Sequence, residues 1–298
     1  MTDLSIIIVS WNVKDLLEEC LNSILLNKDG LNVEVFVSDN LSADGTAEMV
    51  KAKFPQVIYI QNKSNLGFTK ANNRAFVKAQ GKYIFFLNPD TVVQPQALSR
   101  LVKFMDEHKD CGALGPRLLN ADGTLQLSCR TFPTLETQLY TTLFLDVLFP
   151  SSKLFGQHLM SFWQHDELKE VDQPMGSALL VRKETLDKVG AFDENIFIWY
   201  DEVDLCKRIK QAGLKIFFLP DAQIIHYGGQ SFGQWKGIKQ SLRGAYIWRK
   251  SRNYFFKKHY GFWTVPILIL LDMVQLGLIL ALLFWLIKLI WLAITFVF

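Results

Sequence analysis

The chain has 298 residues, of which 50% are hydrophobic and 20% are charged, so it is long enough and apolar enough to bury a full core. Its formal net charge of +3 is too small to indicate nucleic acid as a partner. The four cysteines show neither a C-x-x-C pair nor metal-binding spacing, which fits a reducing compartment where they act as small apolar residues. No basic segment or cleavage site precedes the first apolar run, so no secretory signal is predicted.

The first hundred residues alternate apolar runs of strand length with stretches of helical periodicity. Strands are predicted at residues 5–11, 33–37, 57–60 and 83–87. Helices are predicted between them, at residues 14–25, 46–54 and 69–80. Because strand and helix alternate with short connections, the expected fold class is α/β, with a doubly wound, mostly parallel sheet and helices on both faces.

The strand predicted at residues 83–87 is the most informative of these. Its sequence, YIFFL, is apolar without a break, which is typical of a strand buried on both faces of a sheet. The strand must end at Asn88-Pro89-Asp90, because proline has no N–H group for the ladder. Asp90 is therefore expected at the carboxyl end of a central strand, where ligands bind in open α/β sheets. Taken alone, it could equally be a turn residue beside a proline.

A polar side chain follows each of the predicted strands, namely Asn12, Asp39, Asn65 and Asp90. Because parallel strands deliver their carboxyl ends to one edge of a sheet, we expect these four side chains to gather there. This convergence is the strongest physical sign of a functional site. The sequence has no G-x-G-x-x-G after the first strand and no G-x-x-x-x-G-K-[ST], so dinucleotide binding and P-loop chemistry are not expected.

Two further polar groups stand in the second half of the chain. Asp201, Glu202 and Asp204 open a predicted helix, where the helix dipole favours carboxylates, so Asp201 could be an N-cap and a structural role is expected for Asp204. His226 ends an apolar run before two glycines and could be a structural residue or a ligand. Residues 135–154 are apolar and aromatic, and they are expected either in the core or on a surface near a membrane.

The carboxyl-terminal stretch at residues 265–286 is apolar except for Asp272 and Gln275. As a helix it would extend roughly 33 Å, close to the hydrocarbon thickness of a bilayer. Residues 265–298 are therefore predicted to anchor the chain in a membrane. A single span is the simplest account; because Asp272 is costly in lipid, a helical hairpin or an amphipathic pair is the alternative.

The segment at residues 241–264 precedes this anchor and is both basic and aromatic. Basic residues beside a span mark the cytoplasmic side, and aromatic rings favour the headgroup region. The residues expected in these roles are Arg243, Tyr246, Trp248, Arg249, Lys250, Arg252, Tyr254, Phe255, Phe256, Lys257 and Lys258. We therefore expect the rest of the chain to face the cytoplasm at the cytoplasmic (inner) membrane.

Several motifs, in a fixed order along the chain, resemble those of one known family. They are SIIIVSWN, VSDNLSADGT, NKSNLGFTKANNRAF, FFLNPDTVV, MGSALLVRKETLDKVGAFDENIFIWYDEVDLCKRIKQAG and IIHYGGQS. The family is the family 2 glycosyltransferases, inverting enzymes of the GT-A fold, and the resemblance extends from about residue 4 to residue 260. The combination looks most like the rhamnosyltransferase-type subgroup that builds bacterial surface polysaccharides. It implies a GT-A catalytic domain at residues 1–240.

The resemblance implies donor-binding roles for residues near several strand ends, namely Ser10, Asn12, Asp39, Asn40, Asn65, Gly67, Asn88 and Gly176. Asp39 would hold the nucleotide base by accepting from the ring N–H of a uracil or thymine. Gly176 would lie against the donor sugar.

The resemblance also implies a divalent cation that bridges the sugar diphosphate. The family's D-x-D stretch corresponds to Asn88-Pro89-Asp90, so the first acid is replaced by an amide and Asp90 must carry most of the charge. His226 matches the family's His-x-x-Gly and would be a second ligand. These ligands suit Mg²⁺ or Mn²⁺, with imidazole favouring Mn²⁺, and the cation would neutralise charge on the departing nucleoside diphosphate.

The general base is implied by the acidic pair that opens the helix at residue 201. In the family, the second member of this pair deprotonates the acceptor hydroxyl. The usual order Glu-Asp appears here as Asp-Glu, so we expect Glu202 to be the base, with Asp201 as the contender.

The expected function is transfer of a sugar, with L-rhamnose from a dTDP donor as the first choice, to a hydroxyl of a polyprenyl-diphosphate-linked glycan at the membrane. A UDP-hexose donor is one alternative. A non-catalytic membrane scaffold is another, and Asn88 is its best support. A nucleotidyltransferase would usually carry a Gly- and Arg-rich loop where Ser10-Trp11-Asn12-Val13 stands. Only Gln234-Trp235 matches the Q-x-x-R-W signature of processive synthases, so addition of one or a few sugars is expected.

Overall fold

The computed structural model describes residues 2–229 and 238–297, so Gln234 and Trp235 lie outside the described residues. The chain divides into two compact units, each made of two segments. One unit comprises Met1–Phe132 and Trp163–Arg252, and the other comprises Pro133–Phe162 and Asn253–Phe298. The first unit carries the sheet and all of the site residues predicted from the sequence.

Strands and helices alternate through the first hundred residues as predicted. The strands are β1 (Leu4–Ser10), β2 (Val33–Asp39), β3 (Ile58–Gln61), β4 (Tyr83–Leu87), β5 (Thr91–Val93), β6 (Cys111–Leu119), β7 (Leu125–Gln126), β8 (Cys129–Arg130), β9 (Lys169–Glu170), β10 (Gln173–Pro174), β11 (Ala178–Arg182) and β12 (Lys215–His226). The helices are α1 (Lys14–Leu26), α2 (Thr46–Lys53), α3 (Gly67–Phe76), α4 (Ala97–Glu107), α5 (Leu135–Thr142), α6 (Leu145–Leu148), α7 (Lys183–Val189), α8 (Asp201–Gln211), α9 (Ile238–Tyr260) and α10 (Thr264–Val297).

The main sheet has the strand order β3-β2-β1-β4-β11-β6-β12-β5. The first four strands are mutually parallel, as are β6 and β12, whereas β11 pairs antiparallel with β4 and β6, and β5 pairs antiparallel with β12. The predicted α/β class with a mostly parallel sheet is therefore confirmed.

The core is built around β4, whose five side chains are all buried. β1 pairs with it on one side and β11 on the other, which explains why YIFFL is apolar on both faces. All four cysteines are free and buried, and burial raises the pKa of the Cys20 thiol to about 12. They act as small apolar residues, as predicted.

Two element boundaries differ from the prediction by more than two residues. The helix expected at residues 69–80 begins at Gly67 and ends at Phe76. The apolar run at residues 175–181 also predicts a strand, but β11 begins only at Ala178, after the short strand β10 has ended at Pro174. Gly176 lies between the two strands.

The second unit contains α5, α6 and the apolar helix α10. Because α10 is continuous from Thr264 to Val297, the helical hairpin considered for this segment is wrong. Within the described residues, Thr264–Leu289 is the stretch whose length and composition would allow it to cross a membrane. Residues 135–154 were expected either in the core or on a surface. The structure favours the surface, since Val147 and Leu148 of α6 are 70% and 65% exposed.

The segment expected beside the membrane is only partly available for that role. Tyr246 is 67% exposed, but Arg252, Phe255 and Phe256 are buried. Assigning Phe255 and Phe256 to the headgroup region was therefore wrong. The Arg252 guanidinium packs over the Trp248 ring, 5.1 Å from its centroid.

Arg182, at the end of β11, is a buried cation that holds backbone carbonyls in the core. Its Nη2 donates to the carbonyl oxygens of Met105 at 2.7 Å and His108 at 3.1 Å, and its Nε donates to that of Cys111 at 3.3 Å. These bonds join β11 to the end of α4 and the start of β6.

Replacing Arg182 with methionine is expected to lower the free energy of unfolding by about 2–4 kcal/mol, because several buried acceptors lose their donor. Urea denaturation of the detergent-solubilised protein would measure this loss. The neighbouring Lys183 is the matched control, and its methionine variant should lose about 0.5 kcal/mol or less. Equal losses in the two variants would contradict a role for Arg182 in the core.

Candidate active site

The predicted strand-end residues meet at one edge of the sheet. In the parallel pairs, Ser10 lies opposite Asp39, and Ile8 lies opposite Leu87, the last residue of β4. Since neighbouring strands are about 4.8 Å apart, Asp39 and the turn after Leu87 lie roughly 10 Å apart along this edge. The structure therefore brings these strand ends together, as the sequence predicts.

Asp39 and Asn40 shape the loops at the outer end of this edge. The Asp39 carboxylate is buried and accepts from the Ser42 N–H at 2.9 Å and from the Ser42 hydroxyl at 2.5 Å. The Asn40 amide nitrogen donates to the Gly67 carbonyl at 3.1 Å, and its amide oxygen accepts from the Leu66 N–H at 3.2 Å. The pair fixes the loop after β2 and the loop before α3.

Asn12 and Ser10 complete this part of the edge. Asn12 has a left-handed backbone, with φ of 53°, and its N–H donates to the Ser42 hydroxyl at 2.8 Å. Its side-chain oxygen accepts from the Ala43 N–H at 2.6 Å. The Ser10 hydroxyl is buried and has no hydrogen-bond partner among the described residues.

Gly67 makes the close backbone approach that its residue type predicts, but the approach is to protein. It has φ of 82°, and an added Cβ would lie 2.6 Å from the Phe197 carbonyl oxygen. The Phe68 N–H donates to the same oxygen at 2.8 Å, and Asn65 accepts from the Gly67 N–H at 2.9 Å. Gly67 therefore joins the start of α3 to the loop that precedes α8.

Asp90 and His226 form a pair at the centre of the site. His226 Nε2 lies 3.5 Å from Asp90 Oδ1, and both side chains are buried. The Gln126 amide nitrogen donates to two carbonyl oxygens, so its Oε1 accepts from His226 Nδ1 at 2.6 Å. This places a proton on Nδ1 and turns Nε2 towards the Asp90 carboxylate.

The donor set of this pair fits a divalent cation. Two ligands of one octahedral cation lie about 3 Å apart when each is about 2.1 Å from the metal, which is close to the separation seen here. A carboxylate oxygen together with an imidazole nitrogen suits Mn²⁺ and related ions. Groups of three or more protein ligands are absent from the part of the chain that the structure describes, so phosphate oxygens and water would complete the shell.

The acidic pair stands at the start of α8, beside a strained turn. Trp199 and Tyr200 both have left-handed backbones, with φ of 61° and 64°. Such residues cost on the order of 1–3 kcal/mol each and cluster at functional sites. Because Tyr200 occupies the N-cap position, the interpretation of Asp201 as N-cap is wrong. The structural role expected for Asp204 agrees with its 2.8 Å ion pair to Arg208.

Glu202 packs closely against Gly176. A Cβ on Gly176 would lie 3.1 Å from the Glu202 Cβ, so a larger residue would crowd the Glu202 side chain. The next residue, Ser177, accepts from the Asn88 N–H at 2.8 Å. Glu202 is thereby connected, within a few residues, to the turn that carries Asp90.

The two carboxyls of the acidic pair differ in their surroundings. Burial raises the pKa of Asp201 well above its ordinary value, and the charge of Glu202 adds to the rise. Burial also raises the pKa of Glu202, but the N–H at the helix start, the Arg130 guanidinium and the Gly176 N–H oppose that rise. Asp201 is therefore the better place for a proton, and Glu202 is the carboxyl favoured to stay ionised.

Sequence reasoning did not find Gln126 or Arg130. Both lie in the stretch between β6 and β9, where strands of two residues leave no periodicity to recognise. The nearest signal is the turn at residues 121–124, which returns the chain to β7 beside β6.

The first unit therefore combines a mostly parallel α/β sheet with acids gathered at the carboxyl ends of its strands. The model of the family "Glycosyl transferase family 2" matches residues 5–165, more than half of the chain. The chain therefore belongs to glycosyl transferase family 2 and is an enzyme that transfers a sugar.

Individual proteins agree with this assignment. The N-acetylglucosaminyl-diphospho-decaprenol L-rhamnosyltransferase of Mycobacterium tuberculosis is 27% identical over 296 residues, covering 90% of this chain and 89% of the relative. Rhamnosyltransferase WbbL of Escherichia coli is 27% identical over 234 residues, covering 74% and 82%. Among solved structures, the mannosyltransferase PcManGT from Pyrobaculum calidifontis, in complex with GDP-Man and Mn²⁺, matches with a TM-score of 0.52 at 17% identity, covering 94% and 80%. That likeness shows the GT-A fold.

Replacing Arg130 with glutamine is expected to move the acid limb of the kcat/KM profile to higher pH. Arg130 opposes the rise in the Glu202 pKa, so without it Glu202 takes up a proton at a higher pH and activity is lost sooner as the pH falls. Asp201 and Cys206 also lie near Glu202 and remain unchanged in the variant.

The pH dependence of sugar transfer between pH 4.5 and 9 would measure this shift. The exposed Arg100 of α4 provides the control, because its glutamine variant removes the same charge away from the site. An acid limb that stays in place, or moves to lower pH, in the Arg130 variant would contradict the electrostatic link to Glu202.

Proposed function

We propose that the protein is a membrane-bound, metal-dependent inverting glycosyltransferase that moves L-rhamnose from dTDP-rhamnose to a hydroxyl of a polyprenyl-diphosphate-linked glycan. The observation that carries the chemistry is the short connection from the Asp90–His226 pair through Asn88 and Ser177 to Gly176 and Glu202. A cation for the leaving diphosphate and a base for the acceptor hydroxyl are the two groups that in-line displacement at an anomeric carbon requires.

In this proposal, Glu202 is the group that takes the proton of the acceptor hydroxyl. It is ionised more readily than Asp201, and its raised pKa makes it a stronger base than an exposed glutamate. The deprotonated oxygen attacks the anomeric carbon as the nucleoside diphosphate departs from the opposite face. The configuration at that carbon is thereby inverted.

Asp90 and His226 would hold the divalent cation, which supplies charge neutralisation for the leaving diphosphate when bound. Gln126 keeps the His226 ring in the orientation that ligation needs, as partners of metal-binding histidines commonly do. Asp39 and Asn40 would shape the base-binding end of the donor site, with Ser10, Asn12, Asn65 and Asn88 lining the path to the diphosphate. Asn88 itself would then contribute an amide in place of a second acid.

The choice of donor and acceptor follows the relatives rather than the geometry. The Mycobacterium tuberculosis relative is named for rhamnosyl transfer to an N-acetylglucosaminyl-diphospho-decaprenol, and WbbL is named as a rhamnosyltransferase. A lipid-linked diphosphate glycan is therefore the acceptor class that we assign to this chain.

The second unit supports a location at the membrane. Thr264–Leu289 has the length of a span and exposes large apolar side chains, such as Phe284 at 68%. Its neighbour in the same unit, α5, contacts the helix: Gln275 donates to the Thr141 carbonyl at 3.4 Å. The exposed apolar residues after α5 would extend the lipid-facing surface, and the remaining basic residues of α9 would face anionic headgroups on the cytoplasmic side.

A donor screen with the purified full chain in detergent tests the proposed chemistry. We expect release of nucleoside diphosphate and transfer to a lipid-diphosphate sugar with dTDP-rhamnose and Mn²⁺ or Mg²⁺, and loss of both after chelation. The Glu202→Gln variant should lose transfer by roughly 10²–10⁴-fold, with donor binding kept. UDP-hexoses form the second arm, and metal-independent donor binding without transfer would favour the non-catalytic scaffold.

Removing residues 265–298 is expected to lower transfer to a lipid acceptor in vesicles by roughly tenfold or more, because enzyme and acceptor no longer share one surface. Hydrolysis of soluble donor should change less than twofold. A double substitution, Val147→Asp with Leu148→Asp, should reduce vesicle binding of the truncated protein. The matched exposed pair, Lys51→Asp with Lys53→Asp on α2, removes no apolar contact, so it should leave the apolar part of vesicle binding unchanged. Equal losses of transfer and hydrolysis on truncation would contradict an anchor that serves the acceptor.

A further inference from the structure

A second group of polar side chains lies beside Glu202, outside the residues predicted from the sequence. Arg130, on β8, is paired in register with Gln173 on β10. β10 leads directly to Gly176, against which Glu202 packs. The charge of Glu202 acts on the partly buried Arg130 guanidinium, so the two groups are close enough to interact electrostatically.

The His165 ring places a second arginine in the same region. His165 is buried and stacks on Trp163, with ring centroids 4.1 Å apart. Burial lowers the pKa of His165, and the positive charges of Arg117 and Arg130 lower it further. Trp163 packs on Phe218, with ring centroids 5.2 Å apart, and Phe218 lies opposite Gly115 of β6, two residues before Arg117. Pro174 of β10, the neighbour of Gln173, packs against the same Gly115, so Arg117, the end of β10 and the Trp163–His165 stack lie in one region of the first unit.

Two buried donors in this region have no acceptor among the residues that the structure describes. Arg117 Nε and Trp163 Nε1 are buried N–H groups without a hydrogen-bond partner among residues 2–229 and 238–297. Neither atom can accept a hydrogen bond, so each needs an acceptor. In native structures, nearly all buried donors are satisfied, and a half-buried guanidinium is costly without an anion.

We propose that Arg117, Arg130 and Trp163 form a phosphate-binding site that holds the diphosphate of the lipid-linked acceptor. A planar guanidinium matches two phosphate oxygens at once, which makes arginine the usual choice for this recognition. The indole N–H of Trp163 adds a third donor. This assignment rests on the proposed function, because it presumes a diphosphate acceptor.

The position of Arg130 favours the acceptor over the donor as the source of the phosphates. The donor diphosphate is assigned to the cation at Asp90 and His226. Arg130 instead interacts electrostatically with Glu202, the group that meets the acceptor hydroxyl. In an acceptor with a single sugar, the diphosphate lies one ring away from that hydroxyl, so one molecule would reach both Glu202 and the arginines.

The test compares two acceptors that carry the same sugar, one on a prenyl diphosphate and one as an alkyl glycoside without phosphate. For Arg130→Gln and Arg117→Gln, we expect kcat/KM with the diphosphate acceptor to fall roughly 10- to 100-fold more than with the alkyl glycoside. The lysine variants keep the charge and should recover part of this loss. Donor KM should stay unchanged, and Arg100→Gln should behave as wild type.

Each other result overturns the assignment. Equal losses with both acceptors would mean that the arginines do not recognise the acceptor diphosphate. A raised donor KM would mean that they bind the donor diphosphate instead. If the wild-type protein transfers sugar to neither acceptor, the proposed function fails, but the site is still tested by binding of inorganic pyrophosphate in metal-free buffer. Its affinity should fall about tenfold in Arg130→Gln and not in Arg100→Gln, with thermal melting confirming that the variants fold. An unchanged affinity would refute the site.

Discussion

The backbone hydrogen bond from Asn88 to Ser177 holds together the two chemical parts of this site. It continues the pairing of β4 with β11, which runs over the full length of both strands. Because a slip of one residue would turn every side chain of a strand to the opposite face, this register is strongly fixed by the buried core. The position of Ser177 relative to the Asp90 turn is therefore set by the sheet, and Glu202 packs against the neighbouring Gly176.

The loop that precedes Glu202 has a strained backbone. Trp199 and Tyr200 are both left-handed, and the chain then turns directly into α8. The strain is held by docking of the preceding residues on α3, where the Phe197 carbonyl accepts from Phe68 and the Ile196 carbonyl accepts from the Thr69 hydroxyl. Gly67 is needed at that contact, because an added Cβ would lie 2.6 Å from the Phe197 carbonyl oxygen.

The first half of the fold and the strand-end residues could be predicted because their signals are local. An unbroken apolar run followed by Asn88-Pro89-Asp90 predicts both the position of a strand and the residue at which it ends. Gln126 and Arg130 could not be found this way, because each lies in a strand of two residues whose partner is far along the chain. Nor does any sequence pattern join residues 133–162 to the carboxyl-terminal helices, since that grouping depends on tertiary contacts alone. A glycine such as Gly67 indicates a close backbone contact, but the sequence does not identify the group that makes it.

The charges around Glu202 show how an ionised carboxylate can persist in a half-buried place. Burial raises the pKa of Glu202 and disfavours the Arg130 cation, and the charge of each group opposes that effect on the other. Burial and the charge of Glu202 both raise the pKa of Asp201. The N–H at the start of α8 and the Arg130 guanidinium both lower the pKa of Glu202, and Arg130 lies outside the sequence motifs.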